Sequence, residues 1–167
     1  MNRKAFTLAE ILIVVVILGI LAAVVIPTFA SCTTAAKDSA LAQDLMMLKR
    51  MVLVYKAQHL EIAPGYPNGD TTQAPTEQAF LDQVTMASNS SGATAVVGTV
   101  GFNYGPYMQK IPQNPFNSLR TVQVLADGED FPADADGSHG WVYKPATQEV
   151  RPDNIGTDQA GKRYYDY

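Results

Sequence analysis

The sequence predicts an α+β chain in which one long N-terminal helix packs on a small C-terminal antiparallel sheet. Three observations point there. Residues 11–26 (ILIVVVILGILAAVVI) carry neither a charge nor a polar side chain. Apolar residues then recur at helical spacing up to Tyr55, and neither proline nor glycine occurs between residues 33 and 63. After Pro64-Gly65 the chain becomes polar and rich in Gly, Pro and Asp, with short runs of β-branched and aromatic residues. With 17% charged residues against an ordinary share of about 25%, the average composition hides a division into a greasy rod and a polar head.

The rod comes first. Sixteen apolar residues exceed the core of a signal peptide and fall just short of a spanning helix. Adding Ala5 to Ala9 and Phe29-Ala30 brings the segment to spanning length, and then Glu10 lies inside it. A carboxylate beside hydrocarbon is costly and persists where something neutralises it or where it snorkels to the headgroup level near the helix end. Arg3 and Lys4 precede the run; residues 64–167 hold six basic and twelve acidic side chains. Basic before and acidic after predicts a cytoplasmic N-terminus and an exported head. A net charge of −4 repels phosphate, so no nucleic-acid partner is expected.

Lys4-Ala5-Phe6-Thr7-Leu8-Ala9-Glu10, followed at once by the apolar run, resembles the class III leader of type IV pilins and type II secretion pseudopilins. The resemblance implies that a leader, residues 1–5, is cut between Ala5 and Phe6 and that the new amine of Phe6 is methylated. Alanine stands where that family's leader usually ends in glycine. The resemblance also makes Glu10 the fifth residue of the mature chain and Pro27 the proline that kinks the membrane helix. It answers the question of Glu10: in a helical filament the Phe6 amine of one subunit lies beside Glu10 of its neighbour, an ion pair across the contact. A rival reading uses the same stretch: Phe29-Ala30-Ser31-Cys32 resembles a lipobox, which would make this a lipid-anchored exported binding protein with Cys32 acylated.

Residues 31–63 continue the helix beyond the membrane or filament-core part, 6–30. Leu41, Leu45, Leu48, Val52 and Tyr55 fall within an arc of roughly 80° at 100° per residue. Met46, Met47, Leu53, Val54 and Ala57 lie opposite, with Arg50 among them and Asp38, Asp44, Lys49 and Lys56 on the flanks. Two apolar faces need two partners. The head, residues 64–167, supplies one, and other copies of the same helix supply the other.

In the head, residues 64–75 read as loop, and Thr76 caps a short helix over 77–87 that offers Ala79, Phe80, Val84 and Met86 to the core. Strands are expected at 94–100, 121–125, 140–144 and 148–151, the last two forming a hairpin through Pro145-Ala146-Thr147. The stretch Tyr104-Gly105-Pro106-Tyr107-Met108-Gln109-Lys110-Ile111-Pro112-Gln113-Asn114-Pro115-Phe116 resembles the GPYLxxLPxDPW-type segment of major pseudopilins, the G-subunit class.

Asp127, Glu129, Asp130, Asp134 and Asp136 lie within ten residues, with Gly128 and Gly137 for turns. Oxygen ligands on a loop suit calcium, and related major pseudopilins bind calcium in an acidic C-terminal loop. Asp127, Asp130, Asp134 and Asp136 are the candidate ligands, although Pro132 breaks the EF-hand spacing; a merely solvated acidic loop fits as well. His59 reads as a helix-surface residue. Ser138-His139 beside Asp136 lacks the context of a nucleophile elbow, so no enzyme is expected. Trp141, Tyr143, Tyr104 and Tyr107 read as packing residues, and the terminal Tyr164-Tyr165-Asp166-Tyr167 has no assigned role.

The reading is therefore a filament subunit of the bacterial inner membrane, single-pass, with its head in the periplasm or in an extracellular filament. Its expected partners are further copies, other pilins or pseudopilins, prepilin peptidase, and an inner-membrane assembly platform with its ATPase.

Overall fold

The computed structural model describes residues 7–167, with the side chains of 27–31 excepted. Helix α1 (Leu8–Gln58) begins at a reciprocal cap. The Thr7 hydroxyl accepts from the Glu10 N–H at 3.2 Å, while the Glu10 carboxylate accepts from Thr7 N at 2.8 Å and Thr7 Oγ1 at 2.9 Å. Helical backbone continues across Pro27 and Cys32. The cleavage point at Ala5 and Phe6 lies outside the described residues. The chain divides between Lys37 and Asp38 into two units. In the first, the span Leu8–Ile26 is long and apolar enough to cross a membrane, and its side chains are exposed throughout.

In the second unit, the expected face of α1 is the core: Leu41, Leu45, Leu48, Val52 and Tyr55 are buried, and Met51 joins them. The helix stops as Leu60 and Glu61 take left-handed backbone angles (φ 54° and 64°) and Glu61 N bonds back to Lys56 O at 3.1 Å. Thr76 caps α2 (Glu77–Thr85), its hydroxyl accepting from Ala79 N at 3.1 Å. Phe80 and Val84 enter the core as expected, and the unexpected third buried residue is Gln83. Its amide donates to Tyr66 O and Gly92 O, and its carbonyl accepts from Gly65 N, so the flanking loops are tied to the helix.

The strands are shorter than the sequence predicts, and the sheet is mixed. β1 (Ala87–Ser88) and β2 (Thr94–Ala95) form a small antiparallel pair. The expected strand over 94–100 ends there, because Gly98 and Gly101 adopt φ of 92° and 89° and turn the run aside; Val100 is left 96% exposed. β3 (Val122–Val124) pairs with β4 (Trp141–Lys144), which pairs with β5 (Glu149–Pro152). The β4–β5 hairpin is antiparallel as expected. β3 and β4 run parallel instead, because the long connection over residues 125–140 carries the chain back to the same end of the sheet.

Both faces of β4 are covered. Trp141 and Tyr143 join the core beneath α1, while Val142 joins a second cluster with Leu125 and Tyr165, against which Phe131 and Ala135 pack. The acidic connection and the C-terminal tail thus form a cover over the outer face of the sheet. The segment 104–116 straps the core. Trp141 Nε1 donates to Pro112 O at 2.9 Å, and the buried Asn114 donates to Gly140 O at 3.0 Å and accepts from Phe116 N at 3.0 Å.

Candidate functional site

Glu10 opens the apolar span as its single charged residue. Its Oε2 takes both Thr7 bonds. The signal for this cap, Thr-x-x-Glu before an apolar run, stands in the sequence, but the reading above treated Glu10 only as a charge in search of a partner. The described structure adds that the carboxylate also starts the helix.

A second feature is the outward face of α1 in the second unit. Met46, Met47, Leu53 and Val54 are 44–58% exposed, whereas the residues opposite them form the core. Four large apolar side chains on one solvent-facing stripe are unusual for a monomer. The stripe has the character of a face that meets another molecule.

The four candidate calcium ligands do not converge. Asp127 accepts from Tyr66 OH at 2.6 Å; Asp130 faces Lys144 at 3.6 Å; Asp134 is bound by Arg163 at 2.7 Å; Asp136 Oδ1 accepts from Ser138 N at 2.8 Å. Each carboxylate is held by a different donor in a different direction. Among the described residues no group of three or more His, Cys, Asp or Glu side chains could hold a metal ion. A carboxylate the sequence reading passed over, Asp153, organises this loop instead. It follows β5, is 2% exposed, and accepts from Asp136 N and Gly137 N at 3.1 Å each and from His139 N at 2.9 Å. No spacing pattern in the sequence marks it, because its donors are backbone groups.

Ser138 Oγ and His139 Nδ1 lie 2.8 Å apart at an exposed position, but Asp136 binds the Ser138 backbone rather than the imidazole, so no relay of acid, base and hydroxyl is formed. The groove between α2 and residues 109–121, about 480 Å³, is bordered by Leu81 and Ile111 with Glu77, Asp82, Lys110 and Arg120. Glu77 accepts from Val122 N, Asp82 from Gln78 Nε2, and Arg120 donates to Ile111 O, so these groups serve the fold. The terminal tyrosines are structural. Tyr164 and Tyr165 are buried, with Tyr164 OH donating to Asp38 at 2.7 Å and Tyr167 OH to Asp158 at 2.7 Å.

His59 is not on the helix surface. It is 1% exposed, stacked on Tyr55 at 3.7 Å, and edge-on to Tyr104 and Tyr107. Standing four residues after Tyr55, it continues the buried face of α1 to the helix end. Tyr55 O, 2.7 Å from Nδ1, can only accept, so Nδ1 carries the proton; Nε2 of the neutral ring accepts from Ser88 Oγ at 2.9 Å. Burial pushes the imidazole pKa below its ordinary value, opposed by the Tyr55 bond. The unfolded chain then binds the proton more readily, so stability falls as pH drops below about 6.5 and levels off only beneath the folded-state value. Urea midpoints measured from pH 7.5 to 5 should decline more steeply in the wild type than in His59→Gln; parallel declines would remove His59 as the cause.

Comparison with known proteins gives one consistent picture. The "Prokaryotic N-terminal methylation motif" family matches residues 1–26. The type II secretion system core protein G of Klebsiella pneumoniae is 26% identical over 166 residues, covering 97% of this chain and 99% of the relative. The protein of the same name from Pseudomonas aeruginosa is 29% identical over 144 residues, covering 83% and 88%. A fimbrial protein of Pseudomonas aeruginosa is 31% identical over 110 residues, covering 62% and 71%. No solved structure matches at a comparable level of significance.

Proposed function

The chain belongs to the family of type IV pilins and type II secretion pseudopilins, and we propose that it is a pseudopilus subunit processed between Ala5 and Phe6 and methylated on Phe6. It is a structural subunit of a pilus-like secretion filament and not an enzyme. It assembles with other pilins and is a substrate of prepilin peptidase. The apolar part of α1 anchors it in the inner membrane before assembly. Arg3 and Lys4 on one side of the span and the acidic head on the other favour a cytoplasmic N-terminus and a periplasmic head. An inner-membrane platform and its ATPase would lift the subunit from the bilayer.

The observation that carries this reading is the position of Glu10, a lone carboxylate opening the nineteen-residue apolar span Leu8–Ile26. In a monomer it is a burden near hydrocarbon. In a staggered filament it fixes register, because the Phe6 amine of the next subunit pairs with it. The outward stripe of Met46, Met47, Leu53 and Val54 supplies apolar surface for the same assembly. Pro27 would let the helix adjust between bilayer and filament, since its ring cannot complete the helical bond to the preceding turn.

The lipid-anchored alternative is not favoured. Residues 1–26, the stretch a lipoprotein leader would have to occupy, match the N-terminal methylation motif instead. Mass spectrometry of the mature N-terminus tests the choice. Methylated Phe6 is the expected result; an acylated Cys32, or an intact Met1 in cells with active prepilin peptidase, would end the proposal.

A further inference from the structure

Calcium is what the acidic composition of residues 127–136 suggests, and the donor set around that stretch has the opposite polarity. A calcium loop turns oxygen atoms inward. Here four consecutive backbone N–H groups, residues 136 to 139, all point at carboxylate oxygens: those of Asp136, Gly137 and His139 at Asp153, and that of Ser138 at Asp136. Gly137, at φ 74°, supplies the left-handed step that lets neighbouring N–H groups converge. Such a run is an anion-binding concavity, and Asp153 fills it.

We propose that the acidic cover of this head is closed by the chain's own groups, with the Asp153 carboxylate seated in the 136–139 backbone nest and Arg163 clamping the outer edge, so that folding of the head is independent of calcium. Arg163 binds Asp134 at 2.7 Å, Asp166 at 2.9 Å and Ala133 O at 3.2 Å, joining the acidic loop to the C-terminal tail. Asp153 is itself fixed from both sides: its N–H donates to Gly140 O at 3.1 Å and its carbonyl accepts from Asn117 Nδ2 at 3.0 Å. The closure holds Phe131 and Ala135 over Val142 and Tyr165, so the second face of the sheet is sealed by fixed contacts. A cation entering the nest would meet N–H dipoles. Asp127, Asp130 and Asp134 would have to leave Tyr66, Lys144 and Arg163 to reach it. The inference concerns the head's closure and stands apart from the cargo or use of the filament.

The experiment uses full-length protein in detergent, melted with millimolar calcium and with EDTA, beside Asp153→Asn. The amide keeps the shape but turns an N–H₂ toward backbone donors. Wild type is expected to melt at the same temperature in both conditions. Asp153→Asn is expected to melt lower by about 5–10 °C, equally with and without calcium. A saturable calcium-dependent rise in the wild type, lost in Asp134→Asn or Asp136→Asn, would overturn the proposal, as would an unchanged melting temperature in Asp153→Asn. Should that variant fail to fold, hydrogen exchange on the wild type in EDTA decides. Protection of the 136, 137 and 139 amides supports the nest, and exchange at the rate of an open loop refutes it.

Discussion

Replacing Glu10 by glutamine is expected to abolish filament formation while leaving leader removal and membrane insertion intact. The substitution separates two jobs that fall on one side chain. Glutamine at this position can still complete the cap with Thr7, because the capping box accepts Glu or Gln three residues into the helix. What it lacks is the charge that the proposed filament contact requires. If Glu10 served only to start α1, Glu10→Gln would assemble normally and Thr7→Ala, which loses a cap hydroxyl and keeps the charge, would be the defective variant. The pairing proposal predicts the reverse. Filament yield should drop by at least about tenfold in Glu10→Gln and Glu10→Ala, the scale on which losing one charge of a desolvated pair is felt, and should be nearly unchanged in Thr7→Ala. In the described structure Oε2 carries both Thr7 bonds, and Oε1 is the oxygen that the proposal gives to the neighbour's amine. Sheared-filament yield, measured beside the mass of the mature subunit, reads assembly and processing separately. Normal filaments from correctly processed Glu10→Gln would refute the pairing.

Much of this architecture could be read from residue spacing, where one physical requirement dominates. The buried face of α1 came directly from Leu41, Leu45, Leu48, Val52 and Tyr55, because a helix presents such a series to one side whatever it packs against. The Thr76 cap and the β4–β5 hairpin are local in the same sense. The misreadings share a different cause. TAVVGTV has strand composition, but two glycines with positive φ end the strand at Ala95. The parallel pairing of β3 with β4 depends on where a sixteen-residue connection (125–140) returns the chain, which no local pattern records. His59 stands four residues after Tyr55, on the same face as Leu41, so the helical spacing itself leads to burial; only its polar character suggests the surface. In the acidic loop, composition suggested a cation, but composition does not show which way backbone N–H groups face. Asp153 was invisible for the same reason: its partners are main-chain donors brought together by the fold.

Truncating Trp141 should be the most damaging single change in the head, because three separately encoded segments meet on it. It is the sole tryptophan and is fully buried. It opens β4 opposite Val122 of β3 and Pro152 of β5, and its indole N–H is the donor to Pro112 O. Trp141→Ala therefore removes a large core side chain and strips the strap over 104–116 of a hydrogen bond at a buried carbonyl. Large-to-small changes of this kind cost about 3–5 kcal/mol, which approaches the whole stability of a domain whose total is about 5–15 kcal/mol. Trp141→Phe keeps a six-membered ring in the core and loses the donor together with the smaller ring, so its cost should be about 1–3 kcal/mol, an unpaired buried carbonyl plus a small cavity. The ratio of the two identifies what the segment does. If the strap is held chiefly by the Pro112 bond, the two variants should converge; if it is held by packing, Trp141→Ala should be far worse. The buried Ile111 and Asn114 on the same strap favour packing as the larger part. Urea unfolding followed by far-ultraviolet circular dichroism measures both variants without the tryptophan signal. A Trp141→Ala midpoint within error of wild type would show that the strap and sheet close without this residue.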